Sequence, residues 1–98
     1  MAVIEISQTR VPLAINFDRN ADVFYVSTGW EGPVEGTGRY DGIELNFQHD
    51  TTLPCGVTVI GFHAYGWAKR LPELADVIAD HLHVPNDQIY AALTASLG

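Results

Sequence analysis

The apolar residues of this chain change period once, and that change decides its fold class. Up to Gly66 they recur at every second position in short runs, and from Leu71 onward they recur at intervals of three and four. Period two lines one face of a strand, and the three-to-four spacing lines one face of a helix. Strands followed by helices predict an α+β domain: an antiparallel, four- to five-stranded meander with two C-terminal α-helices packed on it. With 98 residues the chain is expected to form one domain over 1–98, with 1–66 as sheet and 67–98 as a helical hairpin.

Val3-Ile4-Glu5-Ile6 is β-branched and Pro12 ends the run, so it reads as a short edge strand. Leu13, Ile15 and Phe17 alternate with Ala14, Asn16 and Asp18, which turns the apolar three toward the core. Asp18-Arg19-Asn20-Ala21 carries turn chemistry, and a strand over residues 22–27 follows at once. A tight hairpin is expected, with Phe24 and Val26 inward and Tyr25 on the opposite face. Residues 28–38 hold four glycines and a proline and are expected to form one long loop that sustains no ladder. A third strand is expected over 39–48, with Ile43, Leu45 and Phe47 on one face, and a fourth over 57–65. The fourth is apolar on both sides, which predicts a central strand covered on both faces, the helices supplying the second cover.

In the C-terminal third, Leu71, Leu74, Ala75, Ile78 and Leu82 form one helical stripe opposite Glu73, Asp76 and Asp80. Pro72 fits the first turn, the chain breaks at residues 81–85, and Asn86 is a candidate N-cap for a second helix with Ile89, Leu93 and Leu97 inward. Ala79, Val84 and Ile89 stand at the packing positions of a helix-turn-helix, so a DNA-binding regulator using residues 73–97 is one functional reading. Against it, residues 71–98 contain four acids and no lysine or arginine, and His83 stands where that motif usually has glycine.

Twelve acidic residues against five basic ones give a net charge of −7, which disfavours nucleic acid and suits a basic protein partner. No apolar run is long enough to span a bilayer, and the N-terminus alternates rather than forming a signal peptide, so a cytoplasmic, non-membrane protein is expected. Cys55 is the single cysteine. A nucleophilic thiol there would need a neighbouring histidine, and an enzyme using Cys55 or the histidines is the least favoured reading. Asp76, Asp80 and His83 share a helical spacing but read as a solvated acidic face, so no metal or cofactor is expected. Aromatic residues outside a core stripe are the types that anchor interfaces. Trp30 in the glycine-rich loop, Tyr25 on the outer face and Trp67 at the sheet-to-helix junction are the candidates, packing under the helices being the preferred reading of Trp67 and an equal alternative for Trp30, with Asp18 and Asp22 bracketing the hairpin turn.

The hairpin F-D-R-N-A-D-V-F-Y-V, residues 17 to 26, resembles the small bacterial family called domain of unknown function 2283, whose members begin Y-D-x-x-A-D-x-L-Y-I. Y-D-G-I-E-L-N-F at 40 to 47 and V-T-V-I-G-F at 57 to 62 are similar to that family's later strands. The resemblance implies a small β-rich fold and an antitoxin-like or accessory role. The resulting expectation is a non-enzymatic interaction protein, homodimeric because an open sheet leaves edges to be covered.

Overall fold

The computed structural model describes residues 13–97, so the strand expected at Val3-Ile4-Glu5-Ile6 lies outside the described residues. Five strands, β1 Ala14–Asp18, β2 Val23–Ser27, β3 Val34–Gly38, β4 Ile43–Gln48 and β5 Pro54–Ile60, precede helices α1 Leu71–Leu82 and α2 Asn86–Leu97. The strands form one antiparallel sheet in the order β1-β2-β5-β4-β3. A simple meander is therefore interrupted once, where β5 enters between β2 and β4. The strand richest in β-branched apolar residues takes the centre, and the glycine-rich β3 takes an edge.

Register converts alternation into two apolar rows on one face. Phe17, Phe24, Val59 and Ile43 stand opposite one another across four strands, and Ile15, Val26, Val57 and Leu45 form the next row. Helix α1 lies against β5 and α2 against β1, and their buried Leu74, Ile78, Ile89 and Leu93 complete the core with Phe62 and Trp67. Phe17, Phe24 and Phe62 meet with ring centroids 4.9 to 5.4 Å apart, within the range of favourable aromatic pairing. The helix pair closes as the apolar spacing requires, with Ala79, Val84 and Ile89 buried. Between the helices His83 adopts φ 58° and Val84 N–H reaches back to the Ala79 carbonyl, a Schellman closure made without glycine.

Four expectations need correction. Residues 28–38 do sustain a ladder over their second half, because β4 supplies a partner to β3 and tertiary pairing outweighs low strand propensity. The third strand begins at Ile43 rather than residue 39: Asp41 and Gly42 both have positive φ and the Ile43 N–H bonds the Tyr40 carbonyl, a type I′ hairpin turn. The fourth begins at Pro54 and stops at Ile60, where Gly61 turns at φ 72°. The helices cover one face only. Two helices side by side span roughly 20 Å, about four strands at ~4.8 Å each, so β3 lies beyond them and is exposed at every residue.

Gly42 carries the tightest constraint of the hairpin. Its φ is 80°, and a Cβ there would lie 1.9 Å from the Ile60 carbonyl oxygen. Gly42→Ala is expected to cost about 1–3 kcal/mol from backbone strain alone, with the overlap adding to it. Urea unfolding is the check: a midpoint equal to that of wild type would show that the turn relaxes freely.

Candidate functional site

Alternation that buries one face of the sheet leaves the other to solvent. On that open face the row Asn16, Tyr25, Thr58, Glu44 crosses the sheet beside the row Ser27, Gly56, Asn46, Gly36. Tyr25, Trp30, Val34 and Ile60 are exposed, at 40 to 52%. Tyr25, Trp30 and Val34 border a groove of about 160 Å³ whose lining includes Asn46, Gly56 and Thr58. Pockets for whole small-molecule ligands run to ~300 Å³ and more, so the groove is the size of one inserted side chain. Asn46 and Thr58 bond each other at 3.0 Å and do not need a ligand to be satisfied.

The loop before β3 is built to hold Trp30 at this groove. Gly29 turns at φ 93° with its N–H on Ser27 Oγ, and the indole N–H donates to the Pro33 carbonyl at 2.9 Å. The ring packs against Gly32, where a Cβ would sit 2.4 Å from Cζ2. An exposed tryptophan is thus locked by its own loop, with its polar handle used internally and its hydrocarbon surface available. Likewise Glu44 lies over Gly36, where a Cβ would meet its carboxyl carbon at 2.5 Å.

Charge is divided between the faces. None of the five strands contains lysine or arginine. Arg19 donates to the Leu97 carbonyl, Arg39 lines a cleft with Asp76 and Asp80, and Arg70 pairs with Glu73 and Asp41, all toward the helical layer. The open face carries Glu44, and exposed Glu31 follows Trp30 in the chain.

The other candidates have structural roles. Trp67 is fully buried, its N–H donating to the Asp41 carbonyl at 2.8 Å, so it belongs to the core and not to a surface. Asp18 accepts from the Asn20 and Ala21 N–H groups and closes the hairpin turn. Asp22, at φ 60°, accepts from the His63 N–H through both oxygens, from Ala64 N–H and from His63 Nδ1, while its own carbonyl accepts from Gly61 and Phe62. Asp22 therefore fixes the turn that leads from β5 into the helices. The His63 backbone N–H is the main cause of its carboxyl sitting below the usual 3.8.

Cys55 lies in β5, beside the irregular register at Asn46 and Phe47, and burial pushes its thiol up from the usual 9.0. A raised thiol is less nucleophilic at neutral pH. The histidines go to separate places: His49 Nδ1 faces Glu35 at 2.8 Å and Nε2 faces Asp50 at 3.3 Å, His63 joins Asp22, and His81 Nε2–H donates to the Asn46 carbonyl. Asp76 is held by Asn86, and among the described residues Asp76, Asp80 and His83 do not bring ligand atoms together. Glu35, His49 and Asp50 do offer ligand atoms within 4.8 Å of one another, a trio formed by hairpin pairing and invisible to helical spacing. All three residues are exposed, and exposed acidic groups commonly gather in this way without holding an ion. The outer side of α2 presents Asp87, Tyr90, Ala91 and Thr94, with no cation for a phosphate. No described helix is long and apolar enough to cross a membrane.

No family model, curated protein or solved structure matches this chain.

Because Asp22 titrates lower in the folded chain than in the unfolded one, its contribution is present above about pH 4 and is lost as pH falls through the depressed value. Asp22→Asn keeps tolerance of the left-handed backbone but offers one acceptor oxygen in place of two. Its urea midpoint is expected below wild type at pH 7, with the gap narrowing as the wild-type carboxylate is protonated. A gap constant from pH 7 to pH 2.5 would show that the carboxylate charge contributes nothing.

Proposed function

We propose that this protein is a non-enzymatic interaction module that docks a basic protein partner on the open face of its sheet. One observation carries the reading: the uncovered face displays Tyr25, Trp30, Val34 and Ile60 beside Glu44, while none of the strands contains a cation. Rigid aromatics in a water-accessible patch are the residues that anchor interfaces, and single-sign charge around them steers a partner of opposite sign. The resemblance of residues 17 to 26 to domain of unknown function 2283 accords with an accessory or antitoxin-like role in the cytoplasm. A photo-crosslinking residue placed at Tyr25 is expected to capture a basic protein in the native host, whereas the same residue at Tyr90 on α2 captures none. Equal capture at both positions, or none at Tyr25, would sink the reading.

A second reading concerns self-association, and β3 supports it. Val34–Gly38 is an edge strand exposed throughout, and alternation of the ladder turns the Val34, Gly36 and Gly38 N–H groups outward. Two copies paired along this edge would satisfy those donors. Native mass spectrometry at micromolar protein is expected to show a dimer that Val34→Pro converts to monomer, and wild-type protein that is monomeric throughout contradicts it.

A further inference from the structure

The groove on the open face is specific about what it can hold. Its walls are the exposed rings of Tyr25 and Trp30, and Val34 adds an apolar border. Glu44 stands in the same cross-strand row as Tyr25, two strands away across Thr58. The groove supplies aromatic surface and apolar contact for a stem at a size that admits one side chain, and Glu44, outside its lining, supplies a carboxylate over Gly36, the register partner of the groove residue Asn46. Building on the docking face proposed above, we infer that the groove seats an arginine side chain of the partner, its guanidinium against the Tyr25 and Trp30 rings and paired with Glu44.

The chain builds the complete constellation once already. Arg70 lies 4.0 Å over the ring of Trp67, with Nη1 on Asp41 at 3.2 Å and Nε and Nη2 on Glu73 at 3.2 and 3.0 Å. There a tryptophan face, a carboxylate fork and a guanidinium satisfy one another inside a single chain. The open face repeats the tryptophan and offers one carboxylate, Glu44 over Gly36, and among the described residues no arginine stacks on Trp30, the three that stack lying on Phe17, Tyr40 and Trp67. Arginine fits better than lysine because its planar, weakly hydrated head stacks on aromatic faces while still donating to a carboxylate. The lock on Trp30, through Pro33 and Gly32, means that the ring need not be ordered on binding, which removes a cost that exposed side chains usually incur.

The test uses the full chain, labelled with nitrogen-15 and titrated with the acetylated, amidated peptide Gly-Thr-Arg-Thr-Gly and with its neutral citrulline counterpart. Saturable shifts are expected at Tyr25, Trp30, Asn46 and Thr58, with the citrulline peptide binding more weakly by about threefold or more. Glu44→Gln should weaken the arginine peptide to a similar extent, Trp30→Ala should abolish the shifts, and added salt should diminish them. Equal binding of the two peptides, or no saturable shift at these four residues, overturns the inference. So would shifts of Tyr25 and Trp30 on Arg10→Gln without any peptide, which would assign the seat to the chain's own arginine. Capture from position 25 combined with indifference to citrulline removes the arginine seat and leaves the docking face standing, whereas failure of both removes the docking face as well.

Discussion

Everything in this fold depends on a single division of labour between the two faces of one sheet. Two rows of apolar side chains, from Phe17 to Ile43 and from Ile15 to Leu45, are taken out of water by a helix pair. Burial of that area is the dominant favourable term available to a chain of this size, which has no disulfide to assist it. The helices must therefore lie on that face. Since two helices are as wide as about four strands, the opposite face and the fifth strand are left to solvent.

Holding the helices in place falls to a few polar contacts at the crossing from sheet to helix. Asp22 gathers the N–H groups of residues 61 to 64 on its carboxylate and carbonyl, and Trp67 then plugs the junction with its indole N–H on Asp41. Arg70 covers that indole and joins Asp41 to Glu73. Of the three described groups whose titration is displaced, Asp22 and Arg70 belong to this junction, where side-chain bonds to Glu73 and then Asp41 raise the arginine, and the third, Cys55 in β5, is raised by burial. Their displaced titration thus reports architecture. The open face instead derives its character from aromatic surface and from a carboxylate laid over glycine, features that ionisation does not reveal.

The glycines of the long loop show how composition can mislead. Four of them in eleven residues argue against a ladder when each is counted as flexibility. In the structure Gly32 and Gly36 are places where a side chain from elsewhere lies on the backbone, Trp30 on one and Glu44 on the other. That use depends on partners brought together by folding. The Asp41-Gly42 pair, by contrast, carried a legible hairpin signal, and reading it would have placed the start of β4 correctly and indicated a strand before it.

Local sequence determined the element types except at β3. Alternation set Phe24, Val26 and Ile43 inward, and helical spacing set Leu74, Ile78, Ile89 and Leu93 against them, because these periods are properties of backbone geometry, whereas the inward choice of Val57 and Val59 over Ile60 came from which face the helices cover. Alternation also placed Tyr25 outward. Tertiary structure decided the strand order, the pairing that makes β3 a strand, the burial of Trp67 and the engagement of Asp22 with the turn after β5, whereas the Asp18 turn was already local. It decided too that Trp30, Tyr25 and Glu44 share one face, since nearness between residues distant in the chain follows from register and from which face the helices cover. Neither is written in any single segment.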